Sequence, residues 1–223
     1  DHFQSLLLHY YPLASVLDGP GITVMTQNLY LGANIDLLLT ASTPAEFQQV
    51  FMQLLTSNAG GFGRAEKLAM QIVADKPHLV GLQEVTRYTF TTQAGTQVMD
   101  FLEILKLALD GMYLAGATPH TWSVIRNDVA FLGPIVIPEL PVITYQDADA
   151  ILVRDDVSVL EPPTLVTYDV FEIYSLGGNV YPFPRGYLAV TAEIDGHTVR
   201  FANTHLEVQR FEATHVAQAA QLI

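Results

Sequence analysis

The pattern of apolar residues predicts a single mixed α/β domain, running from residue 22 to residue 223. Half of the 223 residues are apolar, which is enough for a sizeable core. Segments with helical periodicity alternate with short β-branched runs in the first half of the chain, and short β-rich runs follow one another from Trp122 onward. No internal repeat, linker or low-complexity tract divides the sequence, so one domain is the simplest partition.

Residues 1–21 are predicted to form a leader or a packing arm. Their apolar runs are interrupted between His9 and Pro12, so they are too broken for a membrane span or an intact signal sequence. The chain begins at Asp1 and not at Met, which processing or trimming would explain equally. The absence of cysteine fits either an oxidising compartment or the cytosol. The compartment therefore stays open, with a secreted or periplasmic location slightly favoured.

The next part of the chain is predicted to fold as a strand, two helices and a second strand. Residues 22–27 are β-branched and alternate, as in a buried strand. Thr43 and Glu46 form a capping box at the start of a helix over 44–55. A helix over 64–75 ends before a proline, and a strand over 78–83 follows it.

The remainder is predicted to be β-rich between two helices. The strongest hairpin signal is Asp195-Gly196, which indicates a type I′ turn between two strands. The predicted helices cover 98–109 and 212–222, and the predicted strands cover 122–126, 129–137, 148–153, 157–160, 165–174, 187–194 and 198–203.

Polar residues close three of these apolar strands. Asn28 follows the first strand, Glu84 follows the second, and Asn203 and His205 stand at the end of the last. Sites in α/β proteins are assembled from strand ends that are distant in sequence, so we expect these side chains to meet at one edge of the sheets.

Charge and composition exclude several classes of function. Ten basic and twenty-three acidic residues give a net charge of −13, which removes the broad positive surface that duplex nucleic acids require. Tight binding to duplex DNA is therefore not expected. Without cysteine, the chain has no disulfide, thiolate nucleophile or cysteine-ligated zinc.

Five motifs in order resemble those of the endonuclease/exonuclease/phosphatase superfamily, whose fold pancreatic-type deoxyribonucleases and neutral sphingomyelinases share. The motifs are VMTQNL at 24–29, LVGLQEV at 79–85, AILVR at 150–154, RGY at 185–187 and NTHL at 203–206. The resemblance implies an α/β (α+β) fold in which two β-sheets form a sandwich with flanking helices, in four αββα layers.

The resemblance also implies a site that uses a divalent cation, Mg²⁺ or Mn²⁺. Glu84 would be its principal ligand, and Asn28 a ligand or a phosphate contact. His205 would contact the scissile phosphate, and Asn203 would orient His205 or contact phosphate. Arg185 is a candidate phosphate contact, with a structural arginine on an edge strand as the alternative. A hard cation prefers such oxygen ligands, and a phosphodiester needs donors for its developing charge.

The sequence departs from the superfamily at its C-terminal end. The Gly-Asp-Phe-Asn and Ser-Asp-His motifs, which supply the water-activating aspartate and a further histidine, are absent from the 223 residues. The sequence is therefore interpreted as the N-terminal two-thirds, roughly, of a metal-dependent phosphoester hydrolase, with a phosphodiester as the favoured substrate. The alternative is a catalytically incomplete binding or interaction domain. We also expect an open sheet edge, covered by a partner chain or by self-association.

The substrate is predicted only by class: a phosphodiester in a small molecule, a lipid headgroup or a nucleic acid. The acidic charge favours a small or lipid-like phosphodiester over duplex DNA. The aromatic stretch 168–187 would line the approach to the phosphate, or would form an ordinary edge strand and loop.

Overall fold

The computed structural model describes residues 21–30, 43, 45–46, 49, 52–53, 62–136, 142–176 and 179–222. Within these ranges the chain forms two packed β-sheets, with helices on the outer face of the larger sheet. The predicted fold class, a two-sheet α/β sandwich, is confirmed. Among the described residues, no helix combines the length and the apolar character needed to cross a membrane.

The elements are numbered in chain order. The helices are α1 (Phe62–Asp75), α2 (Phe101–Leu114) and α3 (Glu212–Leu222), the last preceded by a 3-10 turn (Gln209–Phe211). The strands are β1 (Val24–Asn28), β2 (Leu79–Gln83), β3 (Arg87–Thr92), β4 (Gly95–Asp100), β5 (Trp122–Ile135), β6 (Val142–Arg154), β7 (Ser158–Val159), β8 (Thr164–Thr167), β9 (Glu172–Leu176), β10 (Asn179–Phe183), β11 (Gly186–Ile194) and β12 (His197–Thr204).

The larger sheet has six strands in the order β1-β2-β6-β3-β4, with β5 along the other side of β6. Strands β1 and β2 are parallel, and the remaining pairs are antiparallel. Strand β6 is long enough to pair with β2 through residues 150–153 and with β3 through residues 142–146. It is therefore the central strand of this sheet.

The second sheet is built on β11, which pairs with β12, β7 and β8. The turn between β11 and β12 has positive φ at both Asp195 (49°) and Gly196 (78°), so the predicted type I′ turn is confirmed. Among the described strands, β12 pairs only with β11 and β1 only with β2. Strands β9 and β10 form a separate two-stranded hairpin.

Alternation along the central strands separates two apolar cores. Val80 and Leu82 of β2 face the helices and pack with residues of α1 and α2, such as Ile72 and Leu105. Leu79 faces the other way, toward the second sheet. The second core therefore fills the space between the sheets, and its buried members are Leu79, Ile151, Val153, Leu188, Val190 and Ile194.

The helix predicted at 98–109 begins later than expected, and that prediction is wrong for its first three residues. Residues 98–100 belong to β4, which forms a hairpin with β3. Asp100 ends the strand and caps α2, because its carboxylate accepts hydrogen bonds from the backbone N–H groups of Leu102 and Glu103. Capping by an aspartate determines where such a helix starts.

The strand predicted at 165–174 is in fact two strands, β8 and β9. Between these two strands the backbone forms hydrogen bonds outside the strand pairing, and Tyr168 N–H donates to the Arg185 carbonyl over 2.8 Å. The Asp169 N–H donates to the side-chain oxygen of Gln221 in α3, and the side-chain N–H group of Gln218 donates to the Val170 carbonyl. Strand β10 was not predicted.

Three further predictions differ in their boundaries. The run 122–126 and residues 129–135 of the next run form one strand, β5, with a register shift between Asp128 and Ala130. The run 148–153 is part of the longer strand β6. Most of the helix predicted at 44–55 and of residues 1–21 lies outside the described residues. Where it is described, Glu46 N–H donates to Thr43 Oγ1 over 3.2 Å, as the capping box predicts.

Candidate functional site

The parallel pairing of β1 and β2 brings Asn28 and Glu84 together. Asn28 is the last residue of β1 and stands opposite Gln83, so Glu84 follows directly. The Asn28 side-chain N–H donates to Glu84 Oε1 over 2.9 Å, and Asn28 Oδ1 accepts the Tyr30 N–H over 2.8 Å. Asn28 therefore holds the Glu84 carboxylate at the end of the sheet.

Glu84 has a backbone conformation that a side chain seldom adopts. Its φ is 55°, in the left-handed region, and Thr86 Oγ1 donates to its carbonyl over 2.9 Å. Such conformations cost about 1–3 kcal/mol and persist where the surroundings enforce them, often at functional sites. In this conformation the Glu84 carboxylate lies between Asn28 Nδ2 at 2.9 Å and His205 Nε2 at 3.7 Å.

His205 arrives from the second sheet, directly after β12. Its Nε2 lies 3.7 Å from Glu84 Oε1, and its Nδ1 lies 2.9 Å from Arg185 Nη1. Its backbone N–H bonds the Asp149 carboxylate of β6. The structure therefore brings Asn28, Glu84, His205 and Arg185 into one cluster where the two sheets meet.

Asn203 lies beneath this cluster, between the sheets, and is only 4% exposed. Its side-chain N–H group donates to the carbonyls of Leu82 over 2.8 Å and Ala150 over 3.0 Å, and its oxygen accepts from Gln83 Nε2. A Cβ on Gly81 would come within 2.7 Å of Asn203 Oδ1, so glycine makes room for this amide. Asn203 connects β12, and with it His205, to the larger sheet.

Three acidic residues of the site were missed by the sequence interpretation: Asp147, Asp149 and Glu207. Asp147 and Asp149 share the face of β6 that carries Ile151 and Val153 further along, so the apolar face becomes acidic near the site. Two aspartates spaced by one residue within a buried apolar run were the available signal. Glu207 is 2% exposed in the loop after His205, and no motif marked it.

Arg185 is enclosed by these acids. Its Nη1 donates to Asp147 Oδ2 over 2.9 Å, its Nε lies 3.8 Å from Glu207 Oε2, and its guanidinium stacks over the Phe183 ring at 4.7 Å. With 8% exposure, Arg185 is buried behind His205. Its role as a phosphate contact stays a prediction.

Burial and charge shift the titration of the cluster. Burial raises the pKa of Asp147 to about 6, and the nearby Glu84 raises it further while Arg185 opposes the shift. Burial, together with Asp147, raises the pKa of Asp149 well above its ordinary value. Burial and the Arg185 cation lower the pKa of His205 to about 3, so the imidazole is neutral at pH 7.

The donor chemistry of this cluster fits a hard divalent cation. Glu84 supplies a carboxylate and Asn28 an amide at the sheet end, and Mg²⁺ or Mn²⁺ prefers oxygen ligands. Asp149 Oδ2 and Glu207 Oε2 are buried near these ligands and have no hydrogen-bond partner, and Glu207 Oε2 lies 3.8 Å from Arg185 Nε.

A second group with ligand chemistry, His120, Asp155 and Asp156, fits a cation less well. Their ligand atoms lie within 4.8 Å of one another. Both Asp156 oxygens, however, accept from the Arg154 guanidinium at 2.6 and 2.9 Å, and Asp155 accepts from Thr121 and contacts His120. The adjacent guanidinium already neutralises this group.

The aromatic stretch 168–187 is only partly available to a substrate. Tyr168 and Phe183 are buried, and Tyr168 bonds Thr204 Oγ1 over 2.9 Å, so these two rings pack inside the protein. Tyr174 and Tyr181 are half-buried, and Phe171 is exposed. These three rings are accessible enough to line an approach, as is the half-buried Tyr187.

No family model and no curated protein matches the sequence. Solved structures do match the fold. An endonuclease/exonuclease/phosphatase family protein from Leptotrichia buccalis has a TM-score of 0.53 and 10% identity over 91% of this chain and 60% of its own. An endonuclease/exonuclease/phosphatase from Beutenbergia cavernae has a TM-score of 0.50 and 16% identity over 90% of this chain and 42% of its own.

A mannosyl-6-phosphatase from Bacteroides thetaiotaomicron also matches, with a TM-score of 0.45 and 15% identity over 91% of this chain. The chain spans between 42% and 60% of the length of these three structures. At this level of identity, the similarity shows the fold.

Proposed function

We propose that this chain, which has the fold of the endonuclease/exonuclease/phosphatase superfamily, is part of a metal-dependent phosphodiester hydrolase. The observation that supports the proposal is the convergence of Asn28, Glu84 and His205 from the ends of three strands in two sheets. A carboxylate, an amide and a neutral imidazole at one sheet edge match the needs of a phosphodiester and a divalent cation.

Each residue has a role in this proposal. Glu84 would hold Mg²⁺ or Mn²⁺, with Asn28 fixing its carboxylate or adding a second ligand. When bound, the cation would supply Lewis-acid stabilisation of charge on the phosphoryl group. His205 would donate a hydrogen bond to a phosphoryl oxygen. Arg185 stays a candidate phosphate contact, and Asn203 would keep His205 in place through the inter-sheet hydrogen bonds.

Activation of the attacking water would need groups beyond these. The superfamily motifs that supply such groups are absent from the 223 residues. The full activity is therefore proposed for a protein that includes this chain, and the alternative of a binding domain is decided by measurement.

The proposed substrate is a small or lipid-like phosphodiester. The net charge of −13 repels a long polyanion, and a single site cation does not compensate along a duplex. Phe171, exposed beside the hairpin of β9 and β10, gives the chain an apolar surface in the same stretch as Arg185.

The test combines hydrolysis with metal binding. Plasmid DNA, short oligonucleotides, sphingomyelin and aryl phosphodiesters would be assayed with Mg²⁺ and with EDTA as substrates of a protein that includes this chain, and Mg²⁺ binding would be followed by calorimetry. Glu84→Ala is expected to abolish both turnover and Mg²⁺ binding. Glu193→Ala, at an exposed glutamate of β11, is the matched control and should change neither.

The outcomes separate the hypotheses. Hydrolysis that survives EDTA would contradict the metal mechanism, and efficient plasmid nicking at physiological salt would contradict the substrate preference. Mg²⁺ binding at Glu84 without hydrolysis of any substrate would favour the binding-domain alternative.

A further inference from the structure

We infer that Arg185 is a positioning residue that holds His205 in the neutral tautomer with its proton on Nε2. A phosphate contact would act on the substrate directly, whereas this role acts on the imidazole through one amino group of the guanidinium.

Arg185 Nη1 lies 2.9 Å from Asp147 Oδ2 and 2.9 Å from His205 Nδ1. A guanidinium has hydrogen-bond donors and no acceptor, so the His205 Nδ1 atom must accept. The Nη1 group carries two hydrogens, one for each partner. A neutral imidazole has one N–H, and with Nδ1 accepting, that N–H is at Nε2.

The guanidinium is held so that it cannot turn away from His205. Arg185 is 8% exposed and Asp147 is 1% exposed, so water does not replace this bond readily. The Phe183 ring lies against one face of the guanidinium, and Glu207 lies beside its Nε. The backbone N–H of His205 is bonded separately, to Asp149 on β6, which fixes the main chain that carries the ring.

The contact with Arg185 also sets the charge of the ring. An Nδ1 atom that accepts from a guanidinium carries no proton, so the imidazole is neutral. A protonated ring would place an N–H at Nδ1 against the Arg185 donors, which would break the hydrogen bond and bring two cations together.

The tautomer determines what His205 can do. Its Nε2–H points to the side where Glu84 Oε1 lies at 3.7 Å. With a proton already on Nε2, the ring can donate a hydrogen bond to a phosphoryl oxygen and cannot take a proton from water at that atom. This consequence for catalysis rests on the proposed function, whereas the tautomer itself does not.

The tautomer can be measured directly on this chain. Long-range ¹H–¹⁵N NMR of histidine-labelled protein at pH 7 distinguishes the protonated ring nitrogen, and His205→Gln identifies the signal. We expect a pyridine-type Nδ1 and a pyrrole-type Nε2 for His205. A pyrrole-type Nδ1 in the wild-type chain would overturn the inference, whether or not any variant folds.

Variants of Arg185 test the cause. Arg185→Lys keeps a group that can only donate, so the Nε2–H tautomer should persist. Arg185→Gln replaces it by an amide that can donate or accept, so a mixture of tautomers is expected. Arg200→Gln, at an exposed arginine that pairs with Glu161, is the matched control and should leave His205 unchanged. An unchanged pure Nε2–H tautomer in a folded Arg185→Gln variant would contradict the role of Arg185.

Kinetics separates positioning from substrate contact in a protein that hydrolyses a phosphodiester. Arg185→Gln should lower kcat by about 10- to 100-fold with little change in KM, as loss of an orienting partner does. A raised KM with unchanged kcat would identify a phosphate contact and overturn the positioning role. If the tautomer is found but no substrate is hydrolysed, the proposed function fails while the assignment of Arg185 stands.

Discussion

Burial in the folded protein disfavours the ionised form of the Asp147 carboxyl. It is 1% exposed and pairs with Arg185, which also contacts His205 and lies near Glu207. Burial is the largest cause of its raised pKa, and the like charge of Glu84 adds to it. The folded state therefore favours the protonated carboxyl more than the unfolded chain does.

Replacing Asp147 by asparagine should change the pH dependence of stability. The pKa of Asp147 rises from an ordinary value of 3.8 to about 6 on folding. Below about pH 4 both states bind the proton, and above about pH 6 both have lost it, so the wild-type chain loses stability between these values. Relative to wild type, Asp147→Asn should gain on the order of 3 kcal/mol in free energy of unfolding as pH rises through this window.

Urea denaturation at about pH 4 and pH 7.5 would measure the difference. Asp110→Asn, at an exposed aspartate of α2, controls for the loss of one carboxylate. If the free energies of unfolding of the wild type and Asp147→Asn differ by the same amount at both pH values, the raised pKa of Asp147 in the folded state is refuted.

The site residues at the ends of strands could be predicted from the sequence, whereas the buried acidic residues of β6 could not. Asn28, Glu84 and His205 follow apolar strands, and polar residues in such places are conspicuous. Asp149 lies inside the predicted strand 148–153, and Asp147 directly precedes it. The alternation of side chains along the strand does not show which face the two aspartates occupy until the pairing of β6 is known. The contact between Arg185 and His205 joins residues of separate strands and needs the three-dimensional structure.

At the scale of elements, the contact between β8 and β11 depends on the absence of a side chain at Gly186. A Cβ there would lie 2.2 Å from the Val166 carbonyl oxygen and 3.0 Å from Val129 Cγ1. The oxygen belongs to the backbone of a paired strand, so it cannot move without disturbing the sheet. Gly186 is therefore required by the approach of the two strands.

Gly186→Ala should destabilise the protein by about 1–3 kcal/mol or more, as overpacking of a buried site does. The matched substitution is Gly111→Ala in α2, where a Cβ meets open space. That change should stabilise the helix by about 0.5–1 kcal/mol, because alanine has the higher helix propensity. Urea midpoints compare the two, and a neutral Gly186→Ala variant would contradict the close approach.

Local signals explain which elements were predictable. The two residues Asp195-Gly196 are enough to predict the turn type, and the apolar residues of α1 recur at helical spacing within one continuous segment. The hairpin β3-β4 lacks an Asn-Gly or Asp-Gly turn, and Val98 and Met99 fit a helix as well as a strand. The assignment of β3 and β4 depends on the pairing of β3 with the distant strand β6, which propensity does not encode. Gly177-Gly178, between β9 and β10, was a hairpin signal that the sequence interpretation did not use.

At the scale of the whole molecule, the excess of acidic residues governs which partners approach. The net charge is −13, and the candidate site adds buried carboxylates to an acidic surface. Strand β12 has one paired edge among the described strands, and its association with a partner chain or a second copy stays a prediction.

We expect binding to a short labelled duplex DNA to be weaker than about 100 µM at physiological salt, because few phosphate counterions can be released. Fluorescence anisotropy at several salt concentrations, with and without Mg²⁺, would measure it. Micromolar or tighter binding that weakens steeply with salt would show that a local basic patch outweighs the net charge.

The amide of Asn203 also determines how the two sheets are aligned. Its donors meet the carbonyls of Leu82 and Ala150, on two neighbouring strands of the opposite sheet. A slide of β12 by one residue, about 3.3 Å, would bring Ala202 or Thr204 to that position, and neither offers an amide. Apolar side chains alone would tolerate several alignments, whereas this one polar residue is satisfied in a single one. The hydrogen bonds of Asn203 thus select one alignment of the two sheets, and His205 reaches its observed distance from Glu84 only in that alignment.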